Sequence, residues 1–148
     1  MKKIMSVIMI AIMAICGSIM FTSCGDDDDD SYDTLPNVAT EDCRVNANDA
    51  DVTGKITWNG NKSSRTVKFL SWTSATQSSP YEWDAKLTDN NVNTTVTGKV
   101  NFTAKSGNNT IELYKKGETV FYQVVVRDVK YNSSKQDVKG NIKSFVVE

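Results

Sequence analysis

The segment Tyr81-Glu82-Trp83-Asp84-Ala85-Lys86-Leu87-Thr88 alternates apolar or aromatic side chains with polar ones at every step. Successive side chains of a β-strand point to opposite faces. The pattern therefore predicts a strand with Tyr81, Trp83, Ala85 and Leu87 on a buried face and Glu82, Asp84, Lys86 and Thr88 in water. The same alternation returns at Val96–Ala104, with Val96, Gly98, Val100 and Phe102 on one side.

Working outward from these two segments, the signal is β throughout. From residue 24 onward the chain has 15 Val against 4 Leu, and β-branched side chains fit a pleated surface better than a helix. No window places apolar residues at helical spacing over three turns. Seven strands are expected: Val52–Trp58, Arg65–Trp72, Tyr81–Thr88, Val96–Ala104, Thr110–Lys115, Thr119–Tyr131 and Val138–Val147. Asn59-Gly60 predicts a hairpin turn between the first two, and Lys116-Gly117 a turn before the sixth. Thr119–Tyr131 is apolar on both faces, as a central strand would be. Short connections favour antiparallel neighbours. The expected fold is thus an all-β antiparallel sandwich of about seven strands, with an up-and-down, lipocalin-like barrel as the alternative. Val52-Thr53-Gly54-Lys55-Ile56 is echoed by Val96-Thr97-Gly98-Lys99-Val100, and loosely by Val138-Lys139-Gly140-Asn141-Ile142. Glycine inside such strands marks a bulge, a bend or a close backbone crossing.

The N-terminal region has a different character. Lys2 and Lys3 precede an apolar run from Ile4 to Ile15, too short for a stable membrane span, and small residues lead to Cys24. Phe21-Thr22-Ser23-Cys24 resembles a lipobox, the site at which bacterial lipoprotein signals are cut. Asp26, Asp27, Asp28, Asp29 and Asp30 follow at once, and this acidic run resembles the surface-export signal of Bacteroidetes lipoproteins. The resemblance covers roughly the first 30 residues. It implies a signal peptide at 1–23, a Cys24 acylated by fatty acids such as palmitate, and an outer-membrane lipoprotein displayed at the cell surface. Residues 24–50, poor in large apolar groups, read as a lipidated acidic tether, and 51–148 as a single β domain. Asp33-Thr34-Leu35 resembles the motif on which Bacteroidetes attach O-glycans, which makes Thr34 a possible O-glycosylation site.

Composition narrows the chemistry. The chain contains no His, which removes Ser-His-Asp and Cys-His nucleophilic catalysis and every His-ligated metal site. Only Cys24 and Cys43 remain in the mature chain, and no catalytic role is assigned to Cys43. From Ser31 onward 13 acidic residues face 15 basic ones, a net of about +2 with the cations scattered, so no nucleic-acid footprint is present. Glu82 and Asp84 have the spacing of paired glycosidase carboxylates, but on what reads as a solvated face. Asn46, Asn48, Asp49 and Asp51 have the oxygen-rich look of a calcium loop without its Gly and Glu. Neither a metal nor another cofactor is expected.

The remaining cluster is aromatic. Trp58, Trp72, Tyr81 and Trp83 fall within 26 residues, and all three Trp of the chain are among them. Exposed rings of this kind stack on sugars, whereas buried ones fill a core. Trp72, beside the polar loop 73–80 and on the face opposite Val67 and Phe69, is the ring expected to be exposed. The reading is a non-catalytic binding domain for a glycan or host polymer. A lipocalin-like carrier of an apolar ligand is one alternative. A structural partner that pairs through a strand edge, for which Ile142–Val147 would serve, is the other.

Overall fold

The computed structural model describes residues 34–61 and 66–148. The signal segment, Cys24 and Asp26 to Asp30 lie outside the described residues. The chain is all-β and antiparallel. Its strands are β1 (Asn37–Val45), β2 (Asp49–Thr57), β3 (Val67–Trp72), β4 (Tyr81–Leu87), β5 (Asn93–Asn101), β6 (Thr103–Ser106), β7 (Asn109–Glu112), β8 (Thr119–Tyr131), β9 (Ser134–Lys139) and β10 (Lys143–Val146). Eight of them form one sheet in the order β1-β2-β5-β4-β3-β8-β10, with β9 also on β8, while β6 and β7 form a small hairpin.

β4 is the corner of this sheet. Its first half, Tyr81 to Asp84, pairs with β3, and its second half, Ala85 to Leu87, pairs with β5. A strand that changes partners midway turns one sheet into two faces that pack on each other. Val52, Ile56, Val96 and Val100 from one face meet Phe69, Val120, Tyr122, Val124 and Val126 from the other, all buried. Trp83, Ala85 and Leu87 pack against this core from the corner.

The opposite side is closed by side chains. Among the described residues β1 pairs with β2 alone, yet Thr40 sits where β8 has neither β9 nor β10 beside it. The Val124 amide donates to Thr40 Oγ1 at 3.2 Å. The Asn141 amide spans the Thr40 backbone, accepting from its N–H at 2.9 Å and donating to its carbonyl at 3.2 Å. Tyr122 adds a hydroxyl bond to the Glu41 carbonyl at 2.7 Å.

Three expectations need correction. The tether does not extend to residue 50. Residues 37–45 form β1, and the preceding turn is pinned because Asn61 Nδ2 donates to the Thr34 carbonyl and Asn59 Nδ2 to that of Leu35. β1 alternates weakly, with small and polar side chains, so its apolar face is hard to see. The described residues form ten strands, because β1 was not expected and two expected strands divide. Val96–Ala104 breaks at buried Phe102, and Val138–Val147 breaks at Gly140 to Ile142, where the chain steps aside for Thr40. Finally, Asn59 and Gly60 adopt the positive φ angles of a tight turn, 53° and 83°, but β2 and β3 do not pair. Asn61 Nδ2 also donates to the Lys130 carbonyl at the end of β8, which draws the chain to the other face.

The echoed glycines occupy close approaches. A Cβ on Gly98 would lie 2.5 Å from the Phe69 ring, and one on Gly140 would lie 2.8 Å from Thr40 Oγ1. The echoed segments around Gly54 and Gly98 are themselves antiparallel neighbours, with Thr53 opposite Thr97.

Two outcomes test this account. Asn141→Ala leaves the Thr40 backbone unpaired and is expected to lower stability by about 1–3 kcal/mol in urea unfolding. Gly98→Ala drives a methyl into Phe69 and is expected to cost about 1–3 kcal/mol by the same measurement.

Candidate functional site

The four candidate aromatics separate in space. Trp58 is 3% exposed, and its indole N–H points at Thr94 Oγ1 at 3.4 Å. Trp72 is 8% exposed, which overturns the expectation that it faces water. It does lie on the face opposite Val67 and Phe69, but there Leu70, Val125 and Phe121 form a second apolar cluster around it. Its ring stacks on Phe121 at 6.1 Å. The polar loop that follows in sequence marked the wrong property, because neighbours on β8 bury this ring.

Tyr81 and Trp83 remain together at the start of β4. Tyr81 is 37% exposed, the most exposed aromatic ring of the four, and Trp83 is half-buried. Their rings lie 6.2 Å apart at 46°, and Tyr114 meets Tyr81 edge-on at 5.7 Å and 89°. A polar chain fixes the group from beneath. Trp83 Nε1 donates to Ser71 Oγ at 2.7 Å, and Ser71 Oγ shares a 2.7 Å hydrogen bond with the Tyr114 hydroxyl. The Tyr114 backbone is anchored in turn to the Phe102 carbonyl. Tyr114 therefore bridges the chain just past β5, the end of β3 and the start of β4, filling the corner where β4 changes partners. Neither Ser71 nor Tyr114 stood out in the sequence. A serine on the buried face of an apolar strand was the one signal available, since a buried hydroxyl requires a partner.

The polar candidates are engaged with each other. Glu82 pairs with Arg127 at 2.5 Å, and Arg127 also holds Asp137 at 2.7 Å. Asp84 pairs with Lys68 at 2.6 Å, which holds its carboxyl below the ordinary carboxylate range. A general acid needs a proton near neutral pH, and Asp84 is pushed the other way. Asp49 and Asp51 accept from Asn46 Nδ2 at 2.7 and 3.0 Å, and Lys99 reaches Asp51 at 2.8 Å. The Lys99 hydrogen bond is the main cause of a lowered Asp51 carboxyl. These oxygens brace the turn between β1 and β2, and among the described residues no group of three metal-ligating side chains occurs. A shallow groove of about 510 Å³ crosses β2, β5 and β4 between Asp51, Thr53, Thr97, Lys99, Asp84 and Lys86. Thr34 is exposed, with its hydroxyl donating to the Asn59 carbonyl at 2.7 Å. Cys43 is a half-buried free thiol at the edge of the core.

Compared with known proteins, the chain matches no family model, no curated protein and no solved structure.

Burial raises the phenols of Tyr114 and Tyr122 well above their ordinary value of 10.0. For a group whose folded pKa is raised, the stabilising contribution is complete below the unfolded value and is lost as pH rises past it. Stability is therefore expected to fall from about pH 10 upward. Tyr114→Phe should reduce that slope in denaturant unfolding measured across alkaline pH.

Proposed function

We propose that the mature chain is a surface-anchored lipoprotein whose β domain binds a glycan or host polymer without catalysis. The anchor rests on the resemblance of Phe21-Thr22-Ser23-Cys24 and the following aspartates to surface-lipoprotein signals. The observation that carries the binding reading is the Tyr81–Trp83 corner. Tyr81 presents an aromatic surface to solvent, and Tyr114 and Trp83 fix its ring through edge and tilted contacts. A ring whose orientation is set before binding loses little conformational entropy when a sugar stacks on it. Trp72 and Trp58, buried as they are, have no part in this platform. Hydrolytic chemistry has no support at the nearby carboxylates, whose charges are spent on Arg127 and Lys68.

The test uses the mature chain carrying Cys24→Ser, which has no lipid. Its tryptophan emission is titrated with a panel of polysaccharides, because Trp83 lies beside the proposed site. A saturable change with one glycan is expected, and Tyr81→Ala should weaken it by about tenfold, the order of magnitude of one aromatic stacking contact. Circular dichroism should leave the fold of the variant unchanged. Emission that ignores every glycan, or a response that survives Tyr81→Ala in full, would remove the reading.

A further inference from the structure

The ends of the main sheet are not alike. β1 carries a register shift between Thr40 and Cys43 and the charged residues Glu41, Asp42 and Arg44. Asn141 and Tyr122 also take up the Thr40 backbone groups and the Glu41 carbonyl. β9 carries Lys135, Asp137 and Lys139. Bulges and charges of this kind are what keep a strand edge from pairing with another chain. β10 has a single charge, Lys143 at its start, and no register shift against β8. Among the described residues β8 is its one hydrogen-bonded strand neighbour, and Ile142 and Val146 are 55% and 51% exposed on either side of exposed Ser144.

The backbone direction follows from the adjacent bonds. Val147 N donates to the Glu118 carbonyl, and the Val147 carbonyl accepts from Gly117 N, so Val147 faces the β8 side. Alternation along an extended chain turns the N–H and C=O groups of Ser144, and of Ile142 and Val146 beside it, away from β8. The hydrogen bonds and ion pair that tie β1 to this segment, Thr40 with Asn141 and Asp42 with Lys143, lie before Ser144. The edge beyond them is self-complementary. In an antiparallel pairing centred on Ser144, each Ile142 stands opposite Val146 of a second copy, and every outward backbone group meets a partner.

We propose that β10 pairs antiparallel with β10 of a second copy of this chain, in the register Ser144 to Ser144, extending the sheet across a two-fold axis. The interface is small, so the dimer is weak in solution. This pairing is independent of the glycan reading, because Tyr81 and Trp83 lie on β4, away from this edge of the sheet.

Register gives a sharp test in the mature chain carrying Cys24→Ser and Cys43→Ser, which has no other thiol. Opposed residues of a hydrogen-bonded pair lie about 5.5 Å apart at Cα, within disulfide reach. The two copies of residue 146 would be about 14 Å apart, beyond it. Mild oxidation is expected to give a covalent dimer with Ser144→Cys and to lose it with Val146→Cys. Without engineered thiols, sedimentation should show a concentration-dependent dimer that the double variant Ile142→Lys, Val146→Lys abolishes, with an unchanged circular dichroism spectrum. Cross-linking of both cysteine variants alike, or a monomer at every concentration, would overturn the proposal.

Discussion

The fold depends on one contact made by two short polar side chains. Thr40 reaches into the gap on β8 between β9 and β10, where the Val124 amide would otherwise be buried with no acceptor, and supplies one. Asn141 completes the exchange by matching both backbone groups of Thr40, as a neighbouring strand would. A buried backbone group left unpaired costs about as much as a lost hydrogen bond, so this seam decides whether β1 can lie over the core. With β1 in place, Val38, Cys43 and Val45 pack against the buried cluster, and Gly54 lies against the Ala39 carbonyl. The break between β9 and β10 is the geometric condition for the contact, since a continuous strand there would occupy the place of Thr40.

The second constraint is the corner at β4. Changing partners after Asp84 lets a single sheet enclose its own core, but it separates the start of β4 from the end of β5. Tyr114 fills that space and is held by Ser71 and by the Phe102 carbonyl. The structural requirement and the proposed binding surface are thus coupled. The ring that seals the corner is also the one that orients Tyr81 toward solvent. Gly98 serves the same corner from within, because the Phe69 ring takes the space that any larger residue would claim.

Much of the surface charge neutralises itself locally. Lys68 with Asp84, Lys99 with Asp49 and Asp51, and Arg127 with Asp137 join neighbouring strands, and Arg127 also reaches Glu82 across β3. Arg127 and Asp137 are largely buried, whereas the exposed pairs add little to stability. Their larger consequence is chemical. The cationic partners of Asp84 and Asp51 hold these two carboxyls below the ordinary carboxylate range.

Strong alternation made β4 and β5 legible, and the run of Thr119–Tyr131, apolar on both faces, gave β8 to the residue. Turn chemistry was also local, and Asn59-Gly60 turns as its residues require. The positions of the glycines at close crossings followed from their place within strands, because only a missing Cβ permits the approach. What the sequence left open depended on residues distant along the chain. β1 has too few apolar side chains to announce itself; β2 supplies its strand pairing, and Asn141, about a hundred residues later, matches the Thr40 backbone on its other side. The Asn-Gly turn leads to the opposite face rather than into a hairpin because Asn61 is tied to Thr34 and Lys130. Among the aromatics, identity and spacing could place each ring on a face but not determine its exposure. Trp72 is buried by Leu70, Val125 and Phe121, while Tyr81 reaches solvent at a corner that only the pairing of β4 creates. Local pattern determined which residues are strands, and long-range hydrogen bonding and packing decided which of their side chains meet water.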